Sequence, residues 1–394
     1  MFLERLELHE FRSYATATLE LGPGVRVLVG PNAQGKTNVL ESVHYLSVGS
    51  SHRVSSDAPL VRAGADAAVV RAVARVDTAD GGPGRRLTVE LELRPGGRNR
   101  AKVNGQDLPR VRDAIGQLRS VLFAPEDLQL VRGDPSDRRR FLDELLGQRR
   151  PAYVAMRQEY DRILKQRNTL LRAARSSGYV DATLGTWTES LIATGANLLA
   201  ARIAVMHALA GPAEAAYRDL VTDSPEREAV GSLDLAYELS TGRTVTADPA
   251  EGVPDPAPLA EELRAAFATV AGDERDRGVT LVGPHRDEVV FSLNGLPAKG
   301  YASHGEIWSL ALALRLASRD VLHDVGEEPV VLLDDVFAEL DETRRARLAA
   351  RCATFQQVVV TAAVDDDVPL DGPRHAVRAG AIQTRGQARG EVAL

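Results

Sequence analysis

Cysteine is almost absent: Cys352 stands alone in a chain of 394 residues, which excludes a disulfide framework and any multi-cysteine metal centre. Long apolar runs are missing as well, with nothing near the roughly 18 residues of a membrane span. The first residues, MFLERLELHEF, alternate like a strand and lack a secretory h-region. These absences point to the cytoplasm and to no membrane partner. Lysine is scarce too: Lys36, Lys102, Lys165 and Lys299 are the whole set. Nearly every cation is therefore an arginine, and a lysine at a special position carries information. No tandem repeat is visible.

What is present is an ordinary globular composition, 26% charged and 44% hydrophobic, long enough for two domains. The net charge of −7 does not announce a nucleic-acid binder, but its distribution is uneven. From Arg94 to Arg175 there are 19 Lys/Arg against 10 Asp/Glu, a local +9. This segment is expected to meet nucleic-acid phosphates through Arg138, Arg139 and Arg140 or through the arginines of the following helices.

Period-two alternation predicts strands at LERLEL, TATLEL, AVVRAVARV and LTVELEL, and Asn-Gly in KVNGQ predicts a hairpin. After Pro125 the period changes. A helix is expected from Pro151, with Tyr153, Met156, Tyr160, Ile163, Leu170 and Ala174 on one stripe that Arg167 interrupts. A second should run from about Trp187 to Leu209, break at Gly211-Pro212, and give way to a third at AEAAYRDL. DPAEGVPDPAP (Asp248 to Pro258) reads as a loop. Strand character returns at VTLVG and at EVVFSLNGLPA, followed by a helix from Glu306 to about His323, the strand VVLL, a helix from Asp341 to Cys352 and the strand QVVVT. No chemistry is legible after Ala362.

The chemistry concentrates in GPNAQGKT, Gly30 to Thr37. Every fixed position of G-x-x-x-x-G-K-[ST] is filled, by Gly30, Gly35, Lys36 and Thr37, with Pro31, Asn32, Ala33 and Gln34 between them. The apolar VRVLV delivers the loop and TNVLESVHYL leaves it, as a phosphate cradle on a helix N-terminus requires. Lys36 would reach the β- and γ-phosphates of ATP and the Thr37 hydroxyl would bind Mg²⁺. A compact ammonium fits inside such a loop where a planar guanidinium does not. VVLLDDVFAELD supplies the partner: Asp334 for the Mg²⁺ shell and Asp335 as the catalytic residue that orients water.

YASHGEIWSLALALRLA resembles the signature motif of ABC-type ATPases, with Ala302, Ser303, His304, Gly305 and Glu306 in the places of LSGGQ. With EFRSY (10–14), FAPEDLQLVRGDPSDRRRFLDELL and LVGPHRDEVVF, the chain resembles the RecF family of SMC-like DNA-repair ATPases over most of its length. The resemblance implies an α/β P-loop ATPase head built from both chain ends, with a helical arm inserted: 1–125 and 271–394 for the two lobes, 126–270 for the arm. It implies that Arg12 lies near the nucleotide phosphates, that Ser303, Gly305 and Glu306 close on ATP held by a second subunit, and that Asp341 also contacts nucleotide. It further implies an ATP-dependent homodimer on gapped or single-stranded DNA or its duplex borders, RecO- and RecR-type partners, recombinase loading, and a role in replication and the SOS response. The chain departs from the ABC pattern at three places: Asp335 replaces a glutamate, Thr361 stands where a switch histidine is expected, and His304 enters the signature. Glu126 is taken as the functional equivalent of the Q-loop residue. The competing readings are a transporter ATP-binding subunit, a P-loop small-molecule kinase and a structural SMC-type tether.

Overall fold

The computed structural model describes residues 1–76, 84–177, 183–221, 232–248 and 252–384. Its contacts divide the chain into two units. One comprises Met1–Asp127 and Arg315–Leu394 with a short stretch from Asp219; the other comprises Leu128–Arg218 and Ala229–Leu314.

The first unit holds two six-stranded sheets. One is an antiparallel sheet of β1 (Phe2–Phe11), β2 (Tyr14–Glu20), β4 (Ala68–Val76), β5 (Arg85–Leu93), β6 (Arg100–Val103) and β7 (Gln106–Asp107), in the order β2-β1-β4-β5-β6-β7. Alternation decides its faces: Leu3, Leu6, Leu8, Val70, Ala72, Leu87, Val89 and Leu91 are all buried. The β6–β7 turn has Asn104 and Gly105 at positive φ, the geometry an Asn-Gly hairpin favours. The other sheet interleaves the two ends of the chain. β3 (Gly24–Val29) pairs in parallel with β14 (Gln357–Ala362) and β15 (Arg374–Arg378). β13 (Val330–Asp334) lies between β14 and β8 (Ser120–Phe123), again parallel, and β16 (Ala381–Thr384) closes the β15 edge antiparallel. β13 and β14 are buried at every position, which accounts for their unbroken apolar runs.

Helix α1 (Lys36–Val48) touches β8, β13 and β14 of the parallel sheet and β4 and β5 of the antiparallel one. Packed from both sides, it buries even Glu41, Ser42, His44 and Ser47, so its amphipathic pattern is weak. The same unit contains α9 (Glu342–Cys352).

The second unit is mainly helical: α2 (Leu128–Arg132), α3 (Pro135–Arg149), α4 (Ala152–Ser177), α5 (Leu184–Val221), α6 (Pro256–Arg277), the short α7 (Ala298–Tyr301) and α8 (His304–His323), of which α5 and α8 run past its boundaries. An antiparallel sheet, β10-β9-β11-β12, completes it, from β9 (Leu233–Glu238), β10 (Thr244–Thr246), β11 (Glu288–Leu293) and β12 (Leu296–Pro297). The α5 stripe is buried as expected, with Ile192, Ala196, Leu199, Ile203 and Met206 at 1% exposure or less.

Four expectations change. Gly211-Pro212 does not break the helix; α5 runs through Pro212 for 38 residues. An internal proline costs about 3 kcal/mol, yet Ala213, Ala216, Tyr217 and Leu220 beyond it are buried. At roughly 1.5–3 kcal/mol for each large side chain, that burial outweighs the proline. VTLVG forms no strand; Val279 to Gly283 is irregular chain. The Pro-rich stretch ends in the N-terminus of α6, with Asp255 as N-cap and Pro256 in the first turn. Finally, α5 is long and apolar enough by length and composition to cross a membrane, but 56% of that window is buried inside the protein and it carries the buried Arg202, which marks a core helix.

Candidate nucleotide site

The loop between β3 and α1 is shaped by contacts that exclude side chains at both of its glycines. A Cβ on Gly30 would lie 2.2 Å from the Val377 carbonyl oxygen of β15, and one on Gly35 2.7 Å from Ser13 Oγ. Gly35 also has φ 107° as the N-cap of α1, a conformation costly for any residue with a Cβ. Tyr14 OH donates to the Gly35 carbonyl at 3.0 Å, and Gln34 Oε1 accepts from Ala379 N–H at 2.7 Å. The tail beyond Ala362, which showed no chemistry in sequence, thus braces the loop. The alternation in RHAVRAGAIQT was the available signal.

Lys36 turns into the loop and is only 4% exposed. Its Nζ donates to the carbonyls of Gly30 (2.9 Å) and Pro31 (3.2 Å) and reaches Asn32 Oδ1 at 3.5 Å. The ammonium therefore sits among the backbone groups of the cradle, and Ala33 adopts φ 63° to let the chain turn.

Across the sheet, the parallel register of β13 and β14 sets Asp334 beside Thr361. Thr37 Oγ1 donates to Asp334 Oδ1 at 3.0 Å, and Thr361 Oγ1 donates to the same oxygen at 2.7 Å. The Asp335 N–H in turn donates to Thr361 Oγ1 at 2.9 Å. Asp335 itself has φ 50°, a left-handed conformation uncommon outside glycine. Burial pushes the Asp334 carboxyl up to about 6, against the two hydroxyl donors; the charges of Asp335 and Glu126 push the same way. Among the described residues no ion pair relieves Asp334, and no group of three or more His, Cys, Asp or Glu could hold a metal alone. Mg²⁺ in nucleotide sites needs only one or two protein oxygens, completed by phosphates and water. Thr37 and Asp334 fit that requirement.

Other expected residues are engaged differently. Arg12 forms a two-pronged pair with the fully buried Glu41 of α1 (2.9 and 2.6 Å) and donates to the Pro59 carbonyl. Ser51 Oγ also donates to Glu41. Glu41 was overlooked; an acid set among the apolar Val39, Leu40 and Val43 was its signal. Asp341 caps α9, accepting from Arg344 N–H at 2.9 Å. In the other unit, Ser303 and Glu306 form a capping box at the start of α8: Ser303 N–H and Oγ donate to Glu306 Oε2 at 2.8 and 2.7 Å. The Gly305 carbonyl accepts from Ser309 Oγ at 3.0 Å. His304 Nδ1 accepts from Arg132 at 2.8 Å.

The arginine triplet requires correction. The Arg138 side chain is 4% exposed and paired with Glu288 at 2.7 Å, and Arg139 donates to the Asp287 carbonyl. Arg140 is exposed but pairs with Asp137 one turn back. Arg138, buried against Glu288 of β11, cannot meet a phosphate, and half-buried Arg139 is tied to the carbonyl just before that strand.

The RecF/RecN/SMC N-terminal domain family matches residues 2–368. The chain is 51% identical over 392 residues to the DNA replication and repair protein RecF of Streptomyces avermitilis, covering 97% of this chain and 100% of that one. Among solved structures it is similar to the recombination mediator protein RecF with ATP in the RecFOR pathway, with TM-score 0.87, 27% identity and 98% of each chain covered. It shares its fold with the Smc head domain of Pyrococcus furiosus bound to the C-terminal domain of ScpA, at TM-score 0.51 and 17% identity over 98% of this chain and 96% of that one.

Proposed function

The chain belongs to the RecF/RecN/SMC family, and from that premise we propose that it is an ATP-dependent DNA-binding protein of recombinational gap repair and replication maintenance. The observation that carries this reading is the hydrogen bond from Thr37 to Asp334, which joins a cradle near one end of the chain to a carboxylate near the other.

In this reading Lys36 and the N–H groups at the start of α1 bind the phosphates of ATP, and the fixed loop spends nothing on ordering when they do. Thr37 and Asp334 hold Mg²⁺, which neutralises phosphate charge when bound. Asp335 orients the attacking water; its carboxylate is one methylene shorter than the glutamate usual in ABC ATPases, so turnover is slow and ATP serves chiefly as a dimerisation switch. Thr361 holds Asp334 by a hydrogen bond and Asp335 by its backbone. Ser303, Gly305 and Glu306 form the surface that closes on the nucleotide of a second copy, with Arg12 and Asp341 supporting the site through α1 and α9. The dimer loads onto gapped DNA with RecO- and RecR-type partners in the cytoplasm.

Sedimentation with and without ATP and gapped DNA tests the reading. The wild type should dimerise with ATP, and Lys36→Met should stay monomeric with an unchanged thermal midpoint. Mixing Lys36→Met with Ser303→Arg should restore part of the DNA-stimulated ATPase, because one intact composite site forms in the heterodimer. Tight ATP binding by Lys36→Met would overturn the cradle assignment.

A further inference from the structure

Most arginines of the second unit are occupied. Arg157 and Arg202 pair with Asp143, Arg162 with Glu159, Arg167 with Glu274 and Arg264 with Glu189. Against that background a cleft of about 500 Å³ beside α4 and the end of α6 is unusual. It is lined by Lys165, Arg172 and Arg175 of α4 and by Arg277 of α6, and none of the four side chains has an ion pair among the described residues. Asp161 also lines it but pairs with Arg157. Asn168 lines it with its Oδ1 held by Thr280 N–H and Oγ1 (2.8 and 2.7 Å), which leaves the amide N–H groups as further donors.

Helix ends explain part of the cluster. Arg277 is in the last turn of α6 and Arg175 in the last turn of α4, where cations are favoured by the helix dipole. That effect fades beyond the last turn, so it does not account for Lys165 or Arg172. Steps of seven and three residues put Lys165, Arg172 and Arg175 on one face of α4, spread over about 15 Å at 1.5 Å per residue. An isolated phosphate would engage only one or two of them. A nucleic-acid strand, with a phosphate every 3.4 Å or so along its axis, presents charge to all of them at once. No aromatic side chain lines the cleft, so nothing in it stacks on bases.

We propose that this cleft, within the second unit, is a sequence-independent contact for the phosphodiester backbone of DNA. It rests on the DNA-binding reading above and refines it: the basic segment meets DNA through the outer cations of α4 and α6, and not through Arg138 and Arg139.

The test compares the full-length wild type with a Lys165→Gln, Arg172→Gln, Arg175→Gln, Arg277→Gln quadruple variant. Anisotropy of a labelled duplex of arbitrary sequence is read across a salt series. The slope of log K against log salt should become shallower by about 3.6, at roughly 0.9 for each of the four lost phosphate contacts, equally for unrelated sequences. ATP affinity and thermal midpoint should not change. Arg172→Lys should retain most of the wild-type slope, since its charge survives, and so guards against a variant that merely folds poorly. An unchanged slope in the quadruple variant, with wild-type DNA binding intact, overturns the cleft assignment alone. A wild type that does not bind DNA overturns the function and the cleft together. Unchanged DNA binding with lost binding of labelled poly-glutamate would reassign the cleft to an acidic protein segment.

Discussion

Asp334 and Asp143 are both carboxylates withdrawn from water, and the protein compensates them in opposite ways. Asp143, on α3, accepts a two-pronged pair from Arg202 at 2.8 and 2.9 Å, a bond from Arg157 at 3.0 Å and one from Tyr153 OH. Burial works to raise its pKa, but Arg202, Arg157 and Tyr153 together hold it below the usual carboxylate range. Arg202 is fully buried and also donates to the Pro284 carbonyl and to Tyr237 OH. Asp334 has hydroxyl donors and, among the described residues, no cation partner, and its pKa is raised. A saturated carboxylate is structure. An under-compensated one, at the C-terminal edge of a parallel strand, keeps its charge for a partner, as the proposed Mg²⁺ role of Asp334 requires.

The largest effect that would sharpen this contrast is Asp143→Ala. It leaves the Arg202 guanidinium buried without a counter-charge, a loss expected to cost about 3–5 kcal/mol. Urea unfolding checks it, and Asp143→Asn should cost less by keeping acceptors in place. Stability within 1 kcal/mol or so of wild type would mean the network is no more structural than Asp334.

A second prediction concerns acid. His285 Nδ1 accepts from Tyr160 OH at 2.8 Å and its Nε2 faces the Thr280 carbonyl at 3.3 Å, an arrangement that suits the neutral ring. Burial lowers its pKa to about 4, against the Thr280 carbonyl, with Arg286, Arg139 and Arg157 adding to the fall. The unfolded chain therefore takes this proton first. Stability is complete above about pH 6.5 and declines towards pH 4, by about 3 kcal/mol over the window. Asp143, with a lowered pKa, loses its contribution only below about pH 4, so the two windows separate. His285→Gln should flatten the decline between about pH 6.5 and pH 4.5; an unchanged decline would assign it to other groups.

The two regions also differed in legibility. The cradle could be read because its chemistry is local: four fixed positions within eight residues, with a strand before and a helix after. Asp334 was singled out because an apolar run ends there in two acids. Thr361 was noticed only as a missing histidine; its contact with Asp334 depends on the β13–β14 register, which no single segment encodes. The Asp143 network was invisible because its members are spread from Asp143 to Pro284. Arg202 did carry a signal, a lone cation inside an apolar stripe. Arg138 and Arg139 misled because a run of like charge looks exposed, whereas the fold gives them Glu288 and Asp287 far along the chain.

Thr361→Val probes the contrast at smaller scale. It removes the donor to Asp334 and the acceptor for Asp335 N–H, a cost of about 1–3 kcal/mol for the stranded groups. Thr361→Ser should restore most of it. If Thr361 positions the aspartates, Val should lower kcat for ATP hydrolysis far more than it weakens ATP binding. Parallel losses in both would make it a packing residue.

The smallest effect, and the one of opposite sign, is Asp334→Asn. Removing a buried charge that has no counter-ion relieves its desolvation cost, whereas the neutral amide keeps an oxygen to accept from Thr37 and Thr361. Its NH₂ group fits less well beside two hydroxyls, which offsets part of the gain. The balance should leave stability equal to wild type or higher by about 1 kcal/mol, in contrast to the large loss at Asp143. Nucleotide affinity should fall in the presence of Mg²⁺ and change little in EDTA, because only the cation shell has lost its carboxylate. Asp335→Asn separates the roles further: affinity should persist while turnover drops and the ATP-bound dimer lives longer. The comparison breaks if Asp334→Asn destabilises the fold as Asp143→Ala does. It breaks equally if Mg²⁺ makes no difference to the affinity lost, since the carboxylate would then be serving the fold and not the ligand.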